Sequence, residues 1–529
     1  MQVFKFHRDY LSQISNQQLN LVYNQDAYLP FLNQTYSAPN FNKQLTDKSS
    51  SFRQETRNIL VDALQVQYEK VAENELTMLN IDLLLDENTF TITTGHQLSV
   101  FTGPLYFVLK ILHAIKQCEE LKKIHPKNKF VPVYWMATED HDFEEIQSLN
   151  LFTKKITWEA SQKGPVGRFN LDGFTDFKNE IQQMFSNHPD GEIHQLIDAY
   201  QGDNLTEATR NLVHLLFKKY GLIIIDGDDA KLKKIFSPTV KKELTEQFSF
   251  HLVTKTNKEL INGGYKIQVN PREINLFYIK DGLRERIILE NGKYSVRGIA
   301  KFTKEEILIE LENFPERFSP NVILRPLYQE MILPNLCYIG GGGEVSYWLQ
   351  LKAVFDAVDC VFPLVGVRNS VIWIELAIAK KKEKIALLLE DIFKTKDQLK
   401  KEYVQNNSDE ALHFKNVDRI IEELKLEITD LTAGVDSSMV GYSSAENVKL
   451  QKQIEGIKSK LIKISKSKHE SAMKTIDQII DKLFPNGGLQ ERTTNFFSFC
   501  PDGNYADKLD ALYDCISPEE KDLLILEES

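Results

Sequence analysis

The sequence predicts an α/β core with a mainly parallel sheet, followed by an antiparallel α-helical coiled-coil arm. Between about Leu79 and Trp373, short β-branched or aromatic runs alternate with amphipathic helical patterns, which is typical of a parallel sheet covered by helices. After Trp373 the composition shifts to Lys, Glu, Leu and Ile in two long stretches with a heptad pattern, which predicts two coiled-coil helices.

Length, composition and charge limit the classes of function. At ~150 residues per domain, a chain of 529 residues exceeds a single small module. The hydrophobic share of 42% and the charged share of 26% are typical of a folded, water-soluble protein. A net charge of −11 argues against nucleic acid or an anionic membrane surface as the main partner.

The cysteines and the N-terminus indicate a cytoplasmic protein. Five cysteines are spread over the chain, and no two have the short spacing of a zinc or redox motif. The first 17 residues lack the apolar segment of a secretory signal, and no apolar run is long enough to span a bilayer.

The elements follow in chain order. The first stretch, to about Leu79, is predicted to be a helical lead-in because Ile59, Leu60, Leu64 and Tyr68 have helical spacing. The core then contains four strand candidates, each followed by a polar or glycine-rich turn and a helix: Phe90 to Thr94, Phe130 to Met136, Leu222 to Asp226 and Cys337 to Ile339. Ligands of such sheets bind beyond the carboxyl ends of the strands, so the site is expected in these turns.

Two segments depart from the parallel pattern. Between about Asn262 and Gly298 the chain is predicted to form antiparallel strands with turns at Asp281-Gly282 and Asn291-Gly292. In the arm, hydrophobic residues step by four and three, which predicts two packed helices joined near residues 432–442, with a capping box at Ser443 and Glu446. The seam positions are Val417, Ile421, Leu424, Ile428 and Leu431, and then Leu450, Ile454, Ile457, Leu461 and Ile464.

The first motif, Thr94-Gly95-His96-Gln97, closes the first strand. Thr102-Gly103-Pro104 follows at the start of a helix, where small residues and free amides could face an anion such as a phosphate. His96 could add a hydrogen bond or a proton. A tight β-to-α turn with no ligand is the alternative.

The second motif is the acidic segment Glu139-Asp140-His141-Asp142, directly after the second strand. Crowded carboxylates favour a shared cation, which could be Mg²⁺ held by Asp140 and Asp142, a substrate ammonium, or a proton on His141. An ordinary acidic helix N-terminus remains the alternative.

The third motif is the glycine run Gly340-Gly341-Gly342-Gly343, followed by Glu344, between the fourth strand and a helix. Uncovered backbone amides there could hold a phosphate or carboxylate, and Arg325 upstream could grip a carboxylate. An unliganded turn and a surface ion pair are the alternatives. Lys463 to Ser467 resembles a synthetase KMSKS loop but lies within a predicted helix, so it is interpreted as structural. Asp226 to Asp229 forms either another loop of the site or a plain turn.

Taken together, several runs resemble the BshC family, the cysteine ligases of bacillithiol biosynthesis. The resemblance covers nearly the whole chain and rests on residues 94–97, 101–106, 132–137 and 139–143, on Arg325-Pro326, and on residues 338–341, Glu344, Tyr347 and 484–492. It implies a Rossmann-like core with connecting insertions, akin to class I synthetases, and a coiled-coil arm that forms a homodimer. It also implies joining of the cysteine carboxyl group to the amine of glucosaminyl-malate, with ATP as the expected co-substrate.

The resemblance assigns roles to the three motifs. Thr94, Gly95, His96, Gln97, Thr102 and Gly103 are expected to hold a phosphate or the reacting carboxylate, with His96 in a binding role. Asp140, His141 and Asp142 are the candidate catalytic residues, which would orient the cysteine ammonium or Mg²⁺ and take a proton. Arg325, Gly340, Gly341, Gly342, Gly343 and Glu344 would bind the malate carboxylates or a second phosphate.

The expected organisation is a core over residues 1–378 with insertions at about 150–215 and 240–320, an arm over 379–485, and a segment over 486–529 that returns to the core. The expected partners are small-molecule substrates and a second copy of the chain, without nucleic acid or membrane. Two other functions remain open: a nucleotide-binding coiled-coil interaction protein, and an amino-acid adenylating or nucleotidyl-transferring enzyme with another acceptor.

Overall fold

A computed structural model describes residues 1–280, 282–407 and 414–529, with the side chains of 465–468 left out. The chain forms two compact units. One contains residues 1–372 and 489–526, and the other contains residues 373–488 and 527–529.

The strands are β1 (Gln2–Phe6), β2 (Thr89–His96), β3 (Lys129–Met136), β4 (Ser148–Leu151), β5 (Lys154–Thr157), β6 (Ile223–Asp226), β7 (Leu276–Lys280), β8 (Leu283–Glu290), β9 (Lys293–Val296), β10 (Ala300–Phe302), β11 (Phe318–Pro320), β12 (Asn335–Gly340), β13 (Leu364–Val367), β14 (Ser370–Ile374) and β15 (Leu523–Glu527).

The helices are α1 (Asn16–Tyr23), α2 (Phe41–Ser51), α3 (Gln54–Tyr68), α4 (Glu75–Leu83), α5 (Tyr106–Ile124), α6 (Phe143–Ile146), α7 (Phe174–Met184), α8 (Ile193–Ala199), α9 (Leu205–Phe217), α10 (Ala230–Glu246), α11 (Phe248–Asn262), α12 (Lys304–Asn313), α13 (Arg325–Ile332), α14 (Gly342–Trp348), α15 (Lys352–Asp356), α16 (Leu376–Lys384), α17 (Lys396–Asn407), α18 (Lys415–Val435), α19 (Val440–Lys468), α20 (Glu470–Leu483) and α21 (Ala506–Cys515).

The centre of the first unit is a parallel sheet with strand order β13-β12-β2-β3-β6. The four predicted strands are confirmed as β2, β3, β6 and β12. The fifth strand, β13, was not predicted because its Leu-Val-Gly-Val sequence is short and contains a glycine. The sheet places His96, Met136, Asp226 and Gly340 at the carboxyl ends of neighbouring strands, so the turns that follow them meet at one edge.

Burial on both faces explains the sequence of β3, which is almost entirely apolar, whereas β2 alternates threonines with Phe90 and Ile92. The side chains of β2 and β3 are buried on both faces of the sheet, apart from the ends at His96 and Lys129. Helix α5 packs on both strands through a largely apolar face. One charged residue, Lys110, is buried within that face.

The inserted sheet is antiparallel, with strand order β10-β9-β8-β7-β11. This confirms the predicted antiparallel strands. The first of them begins at Leu276 and not at about Asn262, where α11 ends. The turn between β8 and β9 has φ of 51° at Asn291 and 73° at Gly292, which is the left-handed backbone that an Asn-Gly hairpin requires. In the other predicted turn, Asp281 lies outside the described residues.

The first 79 residues are mainly helical, as predicted, but they open with β1 instead of a helix. Strand β1 belongs to a small sheet with order β1-β15-β14, in which β15 comes from the end of the chain. Such a pairing depends on residues some 500 positions apart, which local sequence patterns do not reveal.

The second unit contains the helical arm. Lys458 of α19 pairs with Asp418 of α18, and Asn447 donates to the Lys425 carbonyl at 3.2 Å, so the two helices run antiparallel, as predicted. The predicted capping box is wrong, because α19 already begins at Val440 and the Ser443 hydroxyl donates to the Val440 carbonyl at 3.1 Å. Lys463 to Ser467 lies within α19, as expected.

Within the described part of the chain, no helix has the length and apolar character needed to cross a bilayer.

Candidate active site

A cavity of about 530 Å³ opens at the carboxyl ends of the central sheet; we call it the site cavity. Its wall is built from the turns after β2 and β3, from the inserted sheet, and from α13, β12 and α14. The residues that line it include Gly95, His96, Gln97, Asp140, His141, Arg272, Phe277, Arg284, Arg286, Arg325, Tyr338 and Glu344.

The turn after β2 contributes Gly95, His96 and Gln97 to the site cavity. Gly95 has to be small, because a Cβ there would lie 3.1 Å from the hydroxyl of Tyr338. Thr94 is a structural tie, since its hydroxyl donates to the Ile339 carbonyl of the neighbouring strand at 2.8 Å.

His96 is held as a neutral imidazole. Its Nδ1 lies 2.8 Å from the Gln97 carbonyl, which can only accept, so Nδ1 carries the hydrogen. Burial, with a further contribution from the Lys110 ammonium, lowers the pKa of His96 to about 4. This neutral ring cannot attract a phosphate by charge, so His96 contributes to the site as a polar and aromatic wall.

Thr102 and Gly103 were expected beside the ligand, but the described lining of the site cavity does not include them. The side-chain amide of Asn495, from the C-terminal segment, donates to the carbonyls of Phe101 and Gly103 at 2.7 and 2.6 Å. The backbone has a φ of 69° at Thr102 and 61° at Gly103. The small residues here therefore permit a tight turn that Asn495 covers.

In the glycine run, a backbone N–H near the start already has a hydrogen-bond partner within the segment. The Glu344 carboxylate accepts a hydrogen bond from the Gly341 N–H at 2.8 Å, so this amide is not available to an anion. Close packing explains two of the glycines, because a Cβ on Gly340 or Gly342 would lie 3.1 Å from Glu344 or 3.2 Å from Gln18. Of the segment 340–344, Glu344 is the member that the described cavity lining includes.

Lys110 ties the first and third motifs together. Its ammonium donates to the Gly95 carbonyl and pairs with the Glu344 carboxylate at 2.8 Å, although the Lys110 side chain is only 2% exposed. Burial lowers the pKa of Lys110, and the attraction of Glu344 opposes this shift. Lys110 was not among the predicted site residues, although a lysine inside the apolar run Phe107 to Leu112 is a recognisable signal.

Asp140 lies beside two arginines in the site cavity. An Arg325 Nη1 is 3.9 Å from the Asp140 carboxylate. Burial favours the neutral acid, but Arg325 and Arg284 outweigh it and hold the pKa of Asp140 below its usual value. Asp140 is therefore an ionised carboxylate at neutral pH.

His141 contacts Arg284 of β8, whose Nη1 lies 2.8 Å from Nδ1 of the imidazole. Burial and the Arg284 charge lower the pKa of His141. Asp142 is exposed and lies in a more open depression next to Glu144 and Glu145. The structure thus brings Asp140 and His141 into the site cavity and leaves Asp142 at a neighbouring surface.

Arginines dominate the charge of the site cavity. Arg284 is buried, Arg325 is partly buried, and Arg272 and Arg286 lie exposed among the lining residues. The carboxylates in the described lining are Asp140 and Glu344, and Glu344 is already paired with Lys110. The surplus of positive charge fits an anionic ligand such as a carboxylate or a phosphate.

Arg284 was not among the predicted site residues, because β8 begins Leu-Arg-Glu-Arg and its sequence does not distinguish an arginine of the site from one on the surface. Only the pairing of β8 with β7 and the position of the inserted sheet distinguish Arg284 from its charged neighbours.

The acidic segment does not fit Mg²⁺ well. Asp140 already has two arginines nearby, and Asp142 is not among the described residues that line the site cavity. Among the described residues, no group of three or more His, Cys, Asp or Glu side chains is placed to hold a metal ion. The donor set therefore favours an organic ligand at Asp140 and His141.

The acidic residues in the turn after β6 take part in a network of ion pairs. Asp228 accepts two hydrogen bonds from Arg168, at 2.7 and 2.9 Å, and pairs with Lys233 at 3.1 Å. Lys233 also pairs with Glu139, which is buried. Glu139 therefore belongs to a buried ion pair, whereas the adjacent Asp140 lines the site cavity.

No cysteine is found among the described lining residues. Cys118, Cys337 and Cys500 are buried, and all five cysteines have free thiols.

Comparisons with known proteins cover almost the whole chain. Residues 5–369 match the N-terminal Rossmann-like domain model of bacillithiol biosynthesis BshC, and residues 371–528 match its C-terminal coiled-coil domain model. A Flavobacterium johnsoniae protein named "Putative cysteine ligase BshC" is 45% identical over 94% of this chain and 92% of its own length. Proteins of the same name from Christiangramia forsetii and Bacillus cereus are 41% identical, over 92% of both chains, and 29% identical, over 80% of this chain and 82% of the relative. The predicted family and Rossmann-like fold are confirmed, and this chain belongs to the BshC family of bacillithiol biosynthesis.

Proposed function

We propose that this protein is a cysteine ligase that joins the carboxyl group of cysteine to the amine of glucosaminyl-malate and so forms bacillithiol. The observation that carries the proposal is the arginine-rich cavity at the carboxyl ends of a parallel sheet, in a chain whose relatives are named as cysteine ligases. Malate carboxylates and nucleotide phosphates both match this charge.

The proposed reaction requires an activated carboxylate. ATP would supply it by transfer of a phosphoryl or adenylyl group to a cysteine carboxylate oxygen, with release of ADP or pyrophosphate. The amine then attacks the acyl carbon, the C–N bond forms, the C–O bond to phosphate or AMP breaks, and the amine loses a proton. Each leaving group is an anion, which a site with Arg284 and Arg325 can stabilise.

The charges of the residues in the site cavity indicate which part of the substrates each of them would bind. Arg325 is the proposed ligand of the malate carboxylates or of a phosphate, and the nearby charge of Arg284 adds to the attraction of an anion. Asp140 is the proposed acceptor for the cysteine ammonium, because it is ionised and an ammonium can be bound by a single carboxylate, whereas Mg²⁺ needs several oxygen ligands. Gly95 lines the same cavity beside Tyr338.

We also propose that the arm forms a homodimer. The seam residues Leu424 and Leu461 are 45% and 42% exposed in the single chain, whereas Ile421 is 6% exposed. Pairing of the two helices within one chain therefore leaves part of the heptad seam in contact with solvent. A second copy of the arm would cover that apolar surface.

The direct test is to incubate the purified protein with L-cysteine, glucosaminyl-malate and ATP, and to measure bacillithiol by mass spectrometry and nucleotide consumption by chromatography. Product formation that depends on all three substrates is expected. Absence of product with every nucleotide and divalent metal tried would overturn the proposal. Cysteine-dependent exchange of pyrophosphate into ATP without product would instead indicate an adenylating enzyme with another acceptor, and ATP binding without turnover would indicate an interaction protein.

A further inference from the structure

Arg284 and His141 come from different sheets and meet at the wall of the site cavity. Arg284 is on β8 of the inserted sheet, and His141 follows β3 of the central sheet. The guanidinium Nη1 lies 2.8 Å from Nδ1 of the imidazole.

The chemistry of the two groups determines which imidazole nitrogen carries the hydrogen. A guanidinium has only N–H donors and stays protonated, so Nδ1 of His141 must accept. A neutral imidazole has a single N–H, so a lone pair on Nδ1 places the hydrogen on Nε2.

Arg284 makes three further contacts that keep its guanidinium in place beside Nδ1 of His141. Its Nε donates to the Ser319 hydroxyl at 3.1 Å, and its other terminal nitrogen donates to the Pro320 carbonyl at 3.4 Å. The guanidinium also lies over the ring of Phe277, 3.8 Å from the ring centroid. Arg284 is 5% exposed, so water does not compete strongly for its N–H groups.

Asp140 and Phe277 also contact His141, and Nδ1 of the imidazole lies 3.7 Å from the Asp140 carboxylate. The His141 backbone N–H donates to the Asp140 carboxylate at 2.8 Å, and the imidazole ring lies 5.5 Å from the ring of Phe277. The charged groups that act on the imidazole are Arg284, Asp140, Asp142 and Glu285. About half of the His141 side chain remains exposed, so the ring can reach a ligand.

We propose that Arg284 is a positioning residue that fixes His141 as the Nε2–H tautomer, so that His141 meets an anionic oxygen of the ligand as a hydrogen-bond donor. The anionic oxygen belongs to a carboxylate or a phosphate. This inference rests on the proposed function for its biological meaning, and it replaces the expectation that His141 takes a proton, because the lone pair needed for that role is occupied by Arg284.

The first experiment reads the tautomer directly and needs no substrate. The protein is labelled with ¹⁵N-histidine, the His141 resonance is assigned by its loss in His141→Gln, and the nitrogen that carries the hydrogen is read from the ¹⁵N shifts at neutral pH. We expect Nε2–H in the wild type and an Nδ1–H population in Arg284→Met. Arg286→Met, two residues along the same strand, should keep the wild-type pattern.

A wild-type resonance with the hydrogen on Nδ1, or evenly shared, would overturn the proposal whether or not the protein is a ligase. If Arg284→Met does not fold, as judged by circular dichroism, the wild-type spectrum and Arg286→Met still decide the matter.

The second experiment separates a donor from a base by activity. Glutamine at position 141 places an amide N–H₂ near the position of Nε2, whereas asparagine places its amide near Nδ1. We expect His141→Gln to stay within about tenfold of the wild-type kcat/KM and His141→Asn to fall about 10- to 150-fold below the wild type, which is the loss expected for one hydrogen bond to a charged group.

A general base would give a different result, because neither amide can accept the proton and both variants would lose about 10²–10⁴-fold. Equal, large losses would therefore refute the donor role of His141. Absence of ligase activity in the wild type would instead refute the proposed function, and the tautomer measurement would stand on its own.

Discussion

Lys110 of α5 and Glu344, in the first turn of α14, form an ion pair of 2.8 Å. The Lys110 side chain is 2% exposed and the Glu344 side chain is 32% exposed. Lys110 also donates to the Gly95 carbonyl, and Glu344 also accepts from the Gly341 N–H. Two loops that are some 240 residues apart in the chain therefore share one charged contact.

The Lys110→Met substitution is expected to lower the free energy of unfolding by about 3 kcal/mol, because it leaves the Gly95 carbonyl and the Glu344 carboxylate without their cation. The partial exposure of Glu344 keeps the loss at the lower end of the usual range for buried pairs. Chemical denaturation measures it. The double variant Lys110→Met/Glu344→Gln should recover part of the loss.

The same helix offers a control for this prediction. Lys123 pairs with Glu120 at 2.7 Å on the exposed surface of α5, so Lys123→Met should leave unfolding almost unchanged. Equal destabilisation by Lys110→Met and Lys123→Met would contradict the assigned role of the buried pair.

The Arg325→Ala substitution is expected to raise the KM for glucosaminyl-malate by about 10- to 100-fold, since a charge-assisted hydrogen bond is worth roughly 1.5–3 kcal/mol. Arg325→Lys should restore part of the affinity as a point charge. Steady-state kinetics with the amine substrate varied will measure the change. Arg53→Ala, at an exposed arginine outside the described cavity lining, should behave as the wild type.

Asp226 should make stability depend on pH. Burial and the neighbouring Asp228 charge raise the pKa of Asp226 to about 6 in the folded protein. Its protonated form therefore stabilises the fold fully below the unfolded-state pKa of about 3.9, and this contribution is lost as the pH rises through about 6.

The Asp226→Asn variant cannot ionise, and its amide oxygen can still accept from Thr138. The wild-type Tm should thus fall more steeply than that of Asp226→Asn between pH 5 and pH 7.5. Thermal melts at several pH values measure both slopes. Parallel slopes would show that Asp226 does not titrate in this range.

The arm should control self-association. The double substitution Leu424→Glu/Leu461→Glu places charges on the exposed seam, and it is expected to reduce the mass measured by light scattering to that of one chain. Leu426→Glu is the matched control, because Leu426 is 65% exposed but lies off the seam of the same helix. A seam variant that keeps the mass of the wild type would exclude the seam as the contact.

Local patterns determined much of this fold. The alternation of buried runs and helices predicted β2, β3, β6 and β12, the Asn291-Gly292 turn predicted the hairpin of β8 and β9, and the heptads predicted the antiparallel arm. Each of these depends on neighbours within a few residues. The motifs after β2 and β3 also identified the family and placed Gly95, His96, Gln97, Asp140 and His141 at the site.

The tertiary structure decided which residues beside those motifs take part in the site. Asn495 donates to the carbonyls of Phe101 and Gly103, Lys110 pairs with Glu344, and Arg284 donates to Nδ1 of His141, each across more than a hundred residues. The residue types alone show that these groups can donate or accept. Hydrogen-bond partners depend on distances of about 3 Å, which are set only when strands and loops far apart in the chain are packed together.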